Sequence, residues 1–428
     1  MYALPWKCIW LAASLGCTRD SGLLLWGSMF QNICLKWLGN CCKVAIGIWA
    51  TGGLCAGMAA KANAMSEATG GRILGFAVTF FEPAKSLDTA LDCPTGFNVG
   101  PDIEATLARY PEAERQNIRD NRLLLYRALM HRGPTGPNIC LHPTAEPDPG
   151  FLIGQSPAQR GLNLMADGGM SGALACDHPR GTDPDMGEPV DNQYTRVDAC
   201  TQAKQAKVAA TTAVSEAPQS APIVQGEMSV LIEVMGVRDS TNDPDVTVGI
   251  YSSDDPVAVD KAGRIETDAS FHPVADKKYQ TIVHGRIVDG VLITDFADLN
   301  LLADHAVSKL DGSRHTLQWR SARLRLKLDP DGSLAGLLGG YADWEKLYER
   351  RTRGGTASLN NAMGSVGELQ GNTTCSGFYN ALRRAADGFR DPKTGQCTHI
   401  STAYHVRAIP AFIIHEVPSA SISAQNQR

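Results

Sequence analysis

Asp343-Trp344-Glu345, with Tyr341 two residues ahead, sets an indole and a phenol beside a carboxylate. Aromatic rings stack on apolar faces while a neighbouring acid accepts hydrogen bonds, so Tyr341, Trp344 and Glu345 form a candidate carbohydrate-binding surface. Cleaving a glycosidic bond requires a second carboxylate across it, and no E-x-D-x-x-E strand run provides one. Hard oxygen ligands occur in Asn242-Asp243-Pro244-Asp245, Asp254-Asp255 and Asp329-Pro330-Asp331. Acids at strand ends can gather around calcium, which makes Asp243, Asp245, Asp329 and Asp331 candidate ligands. Aspartate is also a common turn residue, and none of these segments matches the twelve-residue calcium loop. No other cofactor is implied.

Asp177, Asp183, Asp185, Glu188 and Asp191 read as a solvated acidic loop. His178 lies two residues from Cys176, a ligand-like spacing that oxidation of the cysteine would cancel. His284 and His405 each fall inside a strand pattern and read as satisfied sheet residues. The chain has no H-E-x-x-H, no G-x-x-x-x-G-K-[ST] and no G-x-G-x-x-G. Ser171 and Ser365 each lack one glycine of the G-x-S-x-G elbow that would hold a serine nucleophile on a strained turn.

The thiols bear on compartment. Six of the twelve cysteines, Cys8, Cys17, Cys34, Cys41, Cys42 and Cys55, precede residue 65. The even remainder, Cys93, Cys140, Cys176, Cys200, Cys375 and Cys397, is expected to be disulfide-bonded. Pairing neighbours in sequence couples 93 with 140, 176 with 200, and 375 with 397. From Met29, Lys36 and Lys43 precede an uncharged run, Val44 to Ala60, and Ala62-Asn63-Ala64 gives a small-x-small cleavage pattern. This reads as a secretory signal with translation starting at Met29 and cleavage after Ala64, and membrane contact only if the leader stays uncleaved. The expected location is periplasmic or secreted.

Residues 1–64 carry five cations against Asp20, so removing that surplus of four from the overall −5 leaves the body at −9. An acidic body lacks the clustered basic face that nucleic-acid phosphates require, and nucleic acid is excluded as a partner. Hydrophobic residues at 43% and charged residues at 20% place the chain among globular proteins rather than disordered ones.

Several elements must position these side chains. Arg72 to Phe81 reads as a buried strand closed by Pro83. Ile103, Leu107 and Tyr110 follow helical spacing, and Pro111 opens a second helix through Ile118, Leu125 and Leu129 to a stop at Gly133. Residues 133–194 are rich in Gly, Pro and Asp and read as loop, and residues 201–225 as a linker.

Period-two runs follow: Val230–Val234, Val246–Tyr251, Ile282–Val288 and Arg323–Leu328, the last with leucines on a core face and cations on a wet one. Asp289-Gly290 and Asp329-Pro330-Asp331-Gly332 mark hairpins. A late helix spans Ser376 to Asp387, a strand-like run spans Tyr404 to Val417, and residues 419–428 read as a disordered tail.

The expected fold is α+β. Its C-terminal domain, residues 226–418, is a β-rich antiparallel sandwich or barrel, and residues 65–200 form a smaller helical, loop-rich, disulfide-bonded part. The expected function is binding or structural and non-enzymatic, with carbohydrate or another envelope protein as partner. The alternatives are a secreted hydrolase acting on polysaccharide or ester and a calcium-dependent adhesion protein.

Overall fold

The structure is a computed structural model and describes residues 71–84, 92–166, 169–201, 219–303, 315–353 and 374–415. The leader and its cleavage site, most of the expected linker, Ser365 and the C-terminal tail lie outside them. In chain order the elements are β1 (Arg72–Pro83), α1 (Ile103–Leu107), α2 (Glu112–Asp120), α3 (Arg122–His131), β2 (Gly181–Thr182), β3 (Pro189–Val190), α4 (Gln193–Ala199) and α5 (Ala221–Val224). Then come β4 (Val230–Val237), β5 (Asp243–Ser252), β6 (Ala269–Phe271), β7 (Gln280–Val288), β8 (Val291–Thr294), β9 (Ala297–Ala303), β10 (His315–Leu328) and β11 (Leu334–Asp343). The chain continues through α6 (Trp344–Arg353), α7 (Cys375–Ala385), β12 (Gly388–Arg390) and β13 (Cys397–Ile413).

Eight strands pair antiparallel in the order β1-β4-β5-β7-β8-β10-β11-β13, and β13 returns to β1, so the sheet closes into a barrel. The expected sandwich or barrel is thus resolved as a barrel, because one sheet curls until its two edge strands, β1 and β13, pair. Each barrel strand neighbours the next barrel strand in the chain, an up-and-down arrangement in which β4–β5, β7–β8 and β10–β11 are hairpins and the other connections carry further elements. The tightest, at Asp289-Gly290, has φ of 51° and 75° at its two turn residues, as the dipeptide predicts.

Period-two alternation sends every second side chain inward. Ile232, Val234, Val248, Leu292, Leu324, Leu326, Leu338 and Val406 meet in one buried cluster, each contributing about 2 kcal/mol by leaving water. A cavity between Ile250, Val283, Leu299 and Leu338 measures about 10 Å³, room for at most one water. The barrel interior is therefore core.

The outer faces of β11 and β13 carry the segment between α3 and α4. Leu162, Leu164 and Met170 of that segment pack on Leu337, Tyr341 and Ala403. A further cluster joins Met130, Ile139 and Phe151 to Trp344, Phe378, Leu382 and Ile400. Residues 69–428 form one compact unit, and no helix among the described residues is long and apolar enough to cross a membrane.

Two local expectations are corrected. The helix from Pro111 to Gly133 is broken at Asn121, whose extended backbone and side chain, accepting from the amides of Leu123 and Leu124, end α2 and cap α3. The disulfides join Cys93 to Cys200, Cys140 to Cys375 and Cys176 to Cys397, so no cysteine pairs with its neighbour in sequence. Tertiary packing brings the loop segment against α7 and β13, and sulfurs bond where Cα atoms come within reach, here 4.9–6.1 Å.

Candidate functional site

Strand register places a row of three side chains on the outer barrel wall. Arg286 of β7 pairs with Ile293 of β8, and Arg325 of β10 pairs with the same Ile293 from the other side. Leu292, Leu324 and Leu326 face the core, so Arg286, Ile293, Arg323 and Arg325 face outward. Arg323 is itself buried: its Nε donates to the Thr294 carbonyl at 2.9 Å, and its guanidinium lies 4.4 Å from the Phe296 ring centre. The cation face of β10 is therefore not simply wet, as its alternation suggested. Burial reaches Arg323 and in part Arg325, while Lys327 stays exposed.

Between that wall and the loop segment lies a cleft of about 330 Å³ lined by Leu162, Asn163, Ala166, Met186 and Glu188 opposite Arg286, Ile293, Arg323 and Arg325. Three guanidiniums against one carboxylate leave the described lining with two net positive charges. The nearest described carboxylates stand back from the outer arginines, Asp295 at 3.9 Å from Arg286 and Glu188 at 3.8 Å from Arg325. These separations exceed hydrogen-bond length. Arg325 also touches the Met186 sulfur.

A buried charge network fixes the loop wall of this cleft. Asp191 accepts from Arg180 Nε at 2.8 Å and Nη2 at 2.9 Å, from the Leu164 amide at 2.9 Å and from His178 Nε2 at 3.2 Å. Arg180 also donates to the Asn163 side chain at 2.7 Å, and the Asp191 amide donates to the Leu162 carbonyl at 3.0 Å, so the backbone is pinned on both sides of Asn163. His178 Nδ1 bonds the Cys176 carbonyl at 2.8 Å, next to the Cys176–Cys397 bridge.

His178 Nε2 lies 3.3 Å from Asp387 Oδ2 as well, but that oxygen makes no hydrogen bond, so the attraction there is between charges only. Burial pushes Asp387 up to about 6, against the pull of His178 and the Ser401 amide. Burial also opposes charge on Asp191 and His178. At Asp191 the bonds from His178 and Arg180 prevail and hold it below the usual carboxylate range. At His178 the Asp191 bond and the Asp387 charge prevail and raise it. The Tyr341 hydroxyl, fully buried near both acids and without a hydrogen-bond partner, is pushed far up by burial and by their charge. Asp191 and Asp387 do not line the cleft, and the network works as a fastener.

The structure scatters the residues that the sequence singled out. Tyr341 is fully buried in the cluster beneath the loop segment, Trp344 packs in the other outer cluster against Tyr379, and Glu345 is exposed at the start of α6. The three do not share a surface. Asp243 is buried and accepts from the Arg238 guanidinium at 2.8 Å and from backbone amides, and the guanidinium holds it far below the usual range. Asp245 lies 3.4 Å from His284, Asp329 lies 3.5 Å from Lys327, and Asp331 closes its turn with Ser333. Among the described residues no three His, Cys, Asp or Glu side chains gather as a metal site.

The acidic run read as solvated loop divides. Asp177, Asp185 and Glu188 are exposed, but Asp183 and Asp191 are buried, each against an arginine. His284 is half exposed and bonds Asp295 at 2.9 Å, His405 pairs with Glu82 across the ladder, and Ser171 is exposed. The cleft arginines were missed. Their signal was present as Arg323-x-Arg325 and as Arg286 ahead of the Asp289-Gly290 turn, yet one strand alone cannot reveal which loop will roof it. Comparison with protein-family models, with curated proteins and with solved structures found no match.

Proposed function

We propose that this is an extracytoplasmic binding protein that captures an anionic ligand in the arginine cleft on the outside of its barrel. The observation that carries the reading is the placement of Arg286, Arg323 and Arg325 around one open cleft whose described lining holds a single acid. Guanidiniums bind carboxylate and phosphate bidentately, and an otherwise acidic surface makes such a patch selective for small anions over polyanions. Export is supported by the three disulfides, which form and persist in oxidising compartments, and by the small-x-small site after the apolar run.

Calorimetric titration of the full chain with acetate, sulfate and glutarate tests the reading. At least one of these anions should bind saturably. Its affinity should weaken about tenfold in Arg325→Gln, which removes one charged hydrogen-bonding group, and should fall further with added salt. No binding of any of the three at millimolar concentration would rule the reading out.

A further inference from the structure

The geometry of the arginine cleft restricts the anion more than its charge does. Arg286 and Arg325 flank Ile293 in one row of the sheet, two strand spacings or about 10 Å apart at the backbone. Between them the floor is apolar, Ile293, and the facing wall contributes Leu162 and Ala166. The cationic ends are therefore separated by a hydrophobic middle. Arg323 stands two residues from Arg325 on the same face, but it is buried, held to the Thr294 carbonyl and laid over Phe296, so it adds positive potential beneath the row rather than a third outward anchor.

Resting on the anion-binding reading above, we infer that the ligand class is a short linear dicarboxylate. One carboxylate meets Arg286, the other meets Arg325, and the methylenes between them cover Ile293. Charge agrees with shape, since the two net positive charges of the described lining match two carboxylates. A monocarboxylate of equal length would satisfy one guanidinium and leave the other facing methylenes. A dianion too short to span Ile293 would engage only one arginine.

The test is a titration of the full chain with adipate, hexanoate and malonate. Adipate is expected to bind at least about tenfold tighter than either of the others, the gain from one additional charged hydrogen-bonded pair. Arg286→Gln and Arg325→Gln should each bring adipate down to the hexanoate level while leaving hexanoate within a few-fold of its starting affinity in one of the two variants. If all three bind equally and all weaken in Arg325→Gln, the cleft binds anions but the two-anchor inference is overturned. If none binds, the inference falls together with the reading beneath it. The chain-length comparison is made on the unaltered protein, so it stands even if a variant fails to fold.

Discussion

Asp387 and His399 face each other's strand in a short ladder and respond to protons in opposite senses. The Asp387 amide donates to the His399 carbonyl at 3.0 Å, yet burial raises the acid to about 6 and lowers the histidine to about 4. A carboxyl with a native pKa above its unfolded value keeps a proton that the unfolded chain has already released, so its contribution is full below about 4 and is lost as pH rises through about 6. His178, also raised, loses its contribution in the same direction, as pH climbs from its unfolded value through its native one. A histidine with a lowered pKa does the reverse, and the fold loses stability as pH falls from about 6.5 through about 4. Between about pH 4 and 6 the Asp387 and His399 effects therefore oppose each other. Asp387→Asn should separate them: relative to wild type, the variant should gain up to about 3 kcal/mol between pH 4 and 7 in urea denaturation. A difference that stays flat across that range would contradict the assignment of Asp387 as a carboxyl whose burial favours its protonated form.

At the scale of elements, register converts local chemistry into a site. A one-residue slip of β10 would turn Arg323 and Arg325 into the core and Leu324 and Leu326 out, so the apolar demand of the interior sets where the cations stand. Two glycines maintain that register for different reasons. Gly290 occupies φ of 75° with open space around it, and alanine there meets only backbone strain, about 1–2 kcal/mol. Gly336 of β11 sits where an added Cβ would come within 2.1 Å of the Arg325 carbonyl, so alanine would push β10 and β11 apart at the cleft itself. Gly336→Ala should cost about 3 kcal/mol or more, clearly exceeding Gly290→Ala, and should weaken anion binding as well. Equal urea midpoints for the two variants would refute the close approach of these strands. The Asp-Gly turn was legible because its φ requirement is local, whereas the break at Asn121 was not: apolar spacing runs on past it, and a side-chain cap decides the matter.

Across the whole molecule, the three bridges close spans of 107, 235 and 221 residues. Such long loops give a disulfide its largest effect on the unfolded chain, and removing one pair should cost about 2–5 kcal/mol. Non-reducing peptide mapping should recover Cys93–Cys200, Cys140–Cys375 and Cys176–Cys397, and recovery of neighbour-linked peptides would invalidate the connectivity. Cys176→Ser/Cys397→Ser should also weaken anion binding more than Cys93→Ser/Cys200→Ser, because only the former bridge adjoins His178 and the cleft wall. The sequence by itself determined the alternating stretches of β1, β4, β5, β7 and the second half of β10, where the tight hairpins turn and which six cysteines oxidise, since alternation, turn angles and an even thiol count are properties of short stretches. Only the tertiary structure decided that the sheet closes, which cysteines meet, that Asp183 and Asp191 are buried and that Arg286 and Arg325 share one cleft. These depend on contacts between residues tens to hundreds of positions apart, where many pairings satisfy the same local pattern and packing selects one.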